Sequence, residues 1–228
     1  MELTDHPYYI QSKKARRNFQ VRLAFLALGI NLLLGLLAFV LKLYLLPFVF
    51  IGGTLTLIAP FFDVPGMASR GHLTYHSSLF LAEKERKGTK VIHGGTLFDY
   101  YFVLKREWSS QERARYILRE LLKGLINLIE EQEEKGNFHV KIKGTSYIIN
   151  ERTAAKIGLR KTSADPLQGF ILLFNYFNLM ASASLAKGRL AFPRLGRVNS
   201  FEAEIADLIA RKDWMKALAD RLDGPSLA

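Results

Sequence analysis

The chain has 228 residues, with 32 Lys+Arg against 21 Asp+Glu for a formal net charge of +11, 49% hydrophobic residues and no cysteine. These values exclude a disordered polyelectrolyte, a disulfide-stapled scaffold and zinc sites built on thiolates. They also conceal an uneven distribution: of the forty residues between Arg22 and Asp63, Lys42 is the only charged one.

A helix needs about 20 apolar residues to cross roughly 30 Å of hydrocarbon, so this stretch fits two spans better than one. Leu41 to Pro47 supplies the break, because lysine and tyrosine suit the headgroup level and proline is tolerated at a helix start. The expected organisation is a basic segment 1–20, two transmembrane helices within 21–62 (about 21–41 and 44–62), a domain over 63–223 and a tail over 224–228. Lys13, Lys14, Arg16, Arg17 and Arg22 precede the first span, and Arg70, Lys84, Arg86, Lys87 and Lys90 follow the second. The positive-inside rule then places both termini in the cytoplasm, at a bacterial inner membrane or its equivalent. The apolar stretch is too long for a signal peptide. Gly29, Gly35, Gly52 and Gly53 leave a re-entrant hairpin open as an alternative, and equally permit packing against a membrane-protein partner or a second copy.

In the domain, His72 to Leu81 alternates as a strand, Glu83 to Gly88 is a charged turn, and Lys90 to His93 forms a second strand. The aromatic and β-branched run Thr96 to Leu104 predicts a third. Ser109 and Glu112 form a capping box for a helix that carries Ile117, Leu121, Leu125, Leu128 and Ile129 on one stripe and ends near Gly136. Phe138–Lys143 and Thr145–Ile149 read as a strand pair or one long strand bent at Gly144, followed by a helix over Glu151–Ile157 capped by Asn150 and stopped by Gly158. Leu159 to Ser163 suggests another strand. Asp165 and Pro166 start an uncharged helix that Gly188 ends, and a last helix begins near Asn199. The order predicts an α+β fold: a transmembrane hairpin followed by a mixed, mainly antiparallel sheet packed by three or more helices. The uncharged helix is long enough to raise the question of a third span. Gln168, Asn175, Asn178 and Ser182 fall on one of its faces, which argues for packing on the sheet or lining a polar cleft.

Candidate chemistry centres on Val91-Ile92-His93-Gly94-Gly95-Thr96. This run resembles the His-Gly-Gly oxyanion loop of lipases and esterases of the α/β-hydrolase family, in which backbone amides after a strand receive developing negative charge. The resemblance covers about six residues. Gly144-Thr145-Ser146 lacks the second glycine of that family's nucleophile elbow, and no histidine follows Ser146. A second, fainter resemblance joins Asn150 to Leu159 with the Asn-x-x-Ala…Lys-x-Gly-Phe run of acetyltransferases that use acetyl-CoA, but it lacks the aromatic before the lysine and a pyrophosphate loop. His93, Thr96, Asp99 and His76 are the candidate catalytic groups; Gly94, Gly95, Ser146, Gln168, Asn175, Asn178 and Ser182 are the candidate ligand-binding ones. No spacing supports a metal, and no pattern fixes a cofactor.

Two readings of function follow. The leading one is a membrane-anchored cytoplasmic module for binding or scaffolding; the alternative is a small tethered enzyme acting on a lipid or other amphiphile through a His/Asp site. A bilayer with anionic headgroups is the expected partner, since basic residues near it gain roughly 1 kcal/mol each. Lys187, Arg189, Arg194 and Arg197 around Leu190, Phe192 and Leu195 form a basic, apolar strip suited to that surface. Nothing in the pattern of aromatics and basics argues for nucleic acid.

Overall fold

The computed structural model describes residues 6–146, 151–162 and 166–223. Asn150, Asp165, Tyr147–Ile149 and the tail from Gly224 lie outside the described residues, as do the side chains of Gln168 and Arg197. A short N-terminal helix α1 (Pro7–Ile10) leads into α2 (Lys13–Val40), which is capped by Ser12 through the Ala15 N–H at 3.2 Å. The helix therefore begins within the basic segment, a turn or more before the apolar stretch. It ends at a tight turn in which Lys42 adopts a left-handed φ of 58°. The chain then returns through α3 (Leu46–Ile58) and α4 (Pro60–Ser69), each with a proline at its first turn, where the missing N–H costs nothing. Lys13–Val40 and the combined Leu46–Ser69 are both long and apolar enough to cross a membrane.

The domain is built on a six-stranded sheet: β1 (Leu73–Ser77), β2 (Phe80–Glu83), β3 (Thr89–Gly94), β4 (Lys141–Ser146), β5 (Arg160–Thr162) and β6 (Asn199–Glu204), in spatial order β1-β2-β3-β4-β6-β5. All neighbours are antiparallel except β3 and β4, which run parallel with Ile92 opposite Gly144. A parallel pair needs a crossover, and α5 (Leu97–Val103) and α6 (Ser110–Glu134) supply it. The remaining helices are α7 (Glu151–Lys156), α8 (Pro166–Phe174), α9 (Tyr176–Lys187), α10 (Ile205–Ile209) and α11 (Lys212–Asp223). The mixed α+β architecture is as the sequence predicts.

Four local expectations are corrected. The run Thr96–Leu104 is helical, because Thr96 and Asp99 form a capping box whose hydrogen bonds outweigh the strand preference of its aromatics. His72–Leu81 is not one strand: Ser78 and Leu79 turn the chain, so that Tyr75 pairs with Leu81 across a hairpin. The segment from Asn199 is a strand pairing residue for residue with β4, and the helix starts only at Ile205. The uncharged stretch is two helices that meet at Asn175, not one continuous helix.

The core has two parts. One sheet face, with Phe80, Ala82, Ile92, Ile142, Phe201 and Ala203, packs on the apolar stripe of α6. Contact is closest at Gly124, where an added Cβ would lie 2.2 Å from Phe80 Cβ. The alternate residues Tyr75 and Leu81, with Leu73, pack instead on Phe61, Val64, Ala68, Tyr8, Leu97 and Phe98. Each large apolar side chain buried there is worth about 1.5–3 kcal/mol, so this second cluster holds the end of the second apolar helix firmly against the domain.

Candidate functional site

Because β3 and β4 run parallel, their C-terminal ends, Gly94 and Ser146, lie at the same end of the sheet, and β6 enters there through Val198 and Asn199. A cavity of about 720 Å³ opens at that end. Its volume is within the range of roughly 300–1,000 Å³ typical of small-molecule pockets. The sheet contributes Ile92, Gly94, Gly144, Ser146 and Phe201 to its wall. The second apolar helix contributes Leu55, Thr56, Ala59, Pro60 and Asp63, and the α8–α9 pair contributes Leu172, Asn175, Asn178, Leu179 and Ser182. The lining is mainly apolar, with neutral hydrogen-bonding groups distributed along it.

Two glycines shape the floor through close packing. A Cβ on Gly95 would lie 2.8 Å from Leu79 Cδ2 and 3.1 Å from Tyr100, and a Cβ on Gly144 would lie 2.7 Å from Ile92 Cγ1. Gly95 thus serves a tight approach of side chains, and neither Gly94 nor Gly95 makes a left-handed turn.

Of the residues expected to act together, His93, Gly94, Gly95, Thr96, Ser146, Asn175, Asn178 and Ser182 all border this one cavity. His76 and Asp99 do not. His76 lies on β1 and is buried against α6. Its Nδ1 is 3.5 Å from Glu131 Oε2, and its carbonyl accepts from Asn127 Nδ2 at 2.6 Å. Burial pulls its pKa down to about 4, opposed by the neighbouring Glu131 carboxylate. Glu131 is itself held below the ordinary carboxylate range by Lys135, His76 and Lys90, which together outweigh its partial burial.

Asp99 is fully buried, and its carboxylate is taken up by neighbouring donors. Its Oδ2 accepts from the Thr96 N–H at 2.7 Å and from Thr96 Oγ1 at 2.8 Å, and its Oδ1 accepts from Tyr75 Oη at 2.6 Å. His6 Nε2 lies 3.4 Å from the same oxygen, with the His6 ring stacked on Phe98. Burial and the Asp99 charge push the Tyr75 phenol far above its ordinary pKa, and burial takes Tyr9 beside it to about 12. Both phenols stay protonated. Both donors of Thr96 are given to Asp99, so Thr96 itself offers no oxyanion donor. His93 keeps a half-exposed ring whose Nε2 is 2.9 Å from Glu83 Oε1.

Sequence reasoning missed the wall from the second apolar helix and the apolar residues Leu159, Leu172 and Leu179, which carried no signal beyond hydrophobicity. It also missed His6 and Tyr8, which fold back onto α5; the signal there was an aromatic-rich segment, His6-Pro7-Tyr8-Tyr9, ahead of a helix cap at Ser12. No group of three His, Cys, Asp or Glu lies together among the described residues. The fold and site define an α+β domain joined to two long apolar helices, with a mainly apolar cavity at the junction. No protein-family model, no curated protein and no solved structure matches the chain.

Proposed function

We propose that this protein is a membrane-anchored cytoplasmic module that binds an amphiphile in the cavity between its second apolar helix and its sheet. The observation that carries the reading is that one cavity has walls from both parts: Leu55, Thr56 and Ala59 from the segment suited to lipid, and Gly94, Ser146 and Asn178 from the domain. A ligand with a hydrocarbon chain and a polar end matches that division. The α8–α9 pair also presents Phe170 and Leu173 outward at 66% and 62% exposure, with Phe174 at the cavity edge. A water-facing surface rarely carries so continuous an apolar patch. Phe177 of α9 touches the second apolar helix at Gly53, 3.9 Å from its hypothetical Cβ, so the patch is continuous with the lipid-facing surface.

The exposed Lys187, Arg189 and Arg194 border Leu190 and Phe192, which suits an anionic leaflet. The basic residues flanking both apolar helices favour cytoplasmic termini. Gly53 is occupied by Phe177, whereas Gly29, Gly35 and Gly52 have open space around them and suit a helix of a partner or a second copy.

A second reading, chemistry on the bound amphiphile, is favoured by one pair. The His93 imidazole borders the cavity and is oriented by Glu83, the arrangement of a positioned general base. Binding is tested by titrating the full chain in nanodiscs with an environment-sensitive fluorescent amphiphile. Saturable one-to-one binding is expected, weakened at least about tenfold by Leu179→Trp, which places an indole in the cavity. Signal that never saturates, or that Leu179→Trp leaves unchanged, would overturn the proposal.

A further inference from the structure

We infer that the amphiphile bound here has an uncharged polar head, of the hydroxyl- or ester-bearing class such as a long-chain alcohol or monoacylglycerol, and not a phosphate or carboxylate. The inference rests on the amphiphile-binding reading of the cavity and narrows it.

The chain carries 32 Lys+Arg, yet among the described residues that line the cavity there is no lysine or arginine. Phosphate and carboxylate are recognised by charge-assisted hydrogen bonds, most often from guanidinium forks or ammonium groups, and a buried anion without them loses several kcal/mol of solvation. The Arg113 guanidinium, beside the C-terminal end of α9, does not border the cavity, and each of its three nitrogens donates to a backbone carbonyl elsewhere. Its Nε donates to Trp108 O at 3.1 Å, Nη1 to Leu185 O at 2.6 Å and Nη2 to Arg106 O at 2.8 Å. The one imidazole on the lining, His93, already meets the Glu83 carboxylate.

Asp63, the one carboxylate among the described lining residues, is exposed in the first turn of α4 and repels an anionic head. A helix N-terminus does not compensate. α9 begins at Asn175 directly where α8 ends, with the Asn175 N–H bonded to Ile171 O at 3.0 Å, so the partial charges of the two helix ends offset each other. The groups that remain are neutral. Asn178 Oδ1 accepts from Ser182 Oγ at 3.4 Å, and the Asn178 amide nitrogen donates to no residue among those described. An amide N–H of this kind suits a hydroxyl or carbonyl oxygen.

The test uses the full chain in phosphatidylcholine nanodiscs, with a bound fluorescent amphiphile displaced by four competitors sharing one saturated chain: the alcohol, the monoacylglycerol, the fatty acid and the alkyl phosphate. The alcohol and monoacylglycerol are expected to displace the probe at least about tenfold more tightly than the alkyl phosphate. Asp63→Lys, at an exposed position, is expected to close or reverse that gap. An alkyl phosphate or fatty acid that competes as well as the neutral pair in the wild-type chain overturns the headgroup inference and leaves amphiphile binding standing. Failure of all four to displace the probe overturns both.

Discussion

Replacing Asp99 by asparagine separates a structural carboxylate from a catalytic one. The wild-type side chain accepts three hydrogen bonds, two on Oδ2 from Thr96 and one on Oδ1 from Tyr75, all at 2.6–2.8 Å and the last fully buried. An asparagine can keep the Thr96 pair on its oxygen, but then its NH₂ faces the Tyr75 hydroxyl, and that bond survives only if the phenol turns its proton away. A hydrogen bond to a charged group contributes roughly 1.5–3 kcal/mol, so Asp99→Asn is expected to cost about 2 kcal/mol. Asp99→Ala strands all three donors and is expected to cost at least about 4 kcal/mol. For a chain of this size, each kcal/mol shifts Tm by about 2–4 °C. Thermal unfolding of the full chain in nanodiscs, followed by circular dichroism, should therefore show losses of roughly 4–8 °C and more than about 8 °C for the two variants. Affinity for the fluorescent amphiphile at a temperature where the Asp99→Asn protein is folded should change by less than about threefold, because the side chain does not border the cavity. Unchanged Tm with abolished ligand turnover or binding would refute the structural assignment.

Other outcomes follow from the same contacts. His76 is held neutral in the folded state, with its pKa pulled down to about 4, while the unfolded chain takes up a proton there below about 6.5. Stability should therefore fall as pH drops from about 6.5 towards 4, by roughly 3 kcal/mol, and level off once His76 is protonated in both states; denaturant titrations of His76→Gln should lose most of that slope. Glu131, whose folded pKa is depressed, adds a loss of the same sign below about pH 4.5. Gly124→Ala, which in an exposed helix would stabilise, should cost about 1–3 kcal/mol here because its methyl meets Phe80, and the paired change Phe80→Leu should recover part of that in a double-mutant cycle. If the α8–α9 patch lies in a leaflet, tryptophan introduced at Phe170, which does not border the cavity, should be quenched by lipids brominated near the headgroup end of the chain. The same probe at Phe138, on the β4 approach, should not be.

Where one signal dominated locally, the fold was legible from the sequence. Ser109 and Glu112 announced α6 because a capping box and a helical stripe agreed. Gly158 at φ 87° and Gly188 at φ 64° ended helices where expected, because only glycine takes those angles easily. Thr96–Leu104 was misread because aromatic residues favour strands on average, whereas the Thr96-x-x-Asp99 box fixes this particular segment as helix; reading the box before the propensity would have found it. β6 was misread because Phe201 and Ile205 also fit a helical spacing, and only pairing with β4 decides between the two. In the site, polar groups were legible as a periodic stripe on the uncharged stretch, and Asn175, Asn178 and Ser182 do share the cavity. Nearness in sequence and the expectation of paired strands group Asp99 and His76 with His93. In the structure His76 faces α6 from one side of β1, whereas Asp99 meets Tyr75 on the other side and sits on a helix, not a strand. The wall from Leu55 to Asp63 was invisible, since residues suited to lipid carry no mark of also facing a cavity.

An amphiphile at the junction between apolar helix and sheet is the proposal on which the others rest. The most direct measurement is photolabelling of the full chain in nanodiscs with a long-chain alcohol bearing a diazirine along its chain, followed by peptide mass spectrometry. Labels concentrated on Leu55, Ala59, Leu172 and Leu179, and competed away by unlabelled alcohol, are the predicted result. Labels confined to outward residues such as Leu33, Leu36 and Phe48, with no competition, would contradict it.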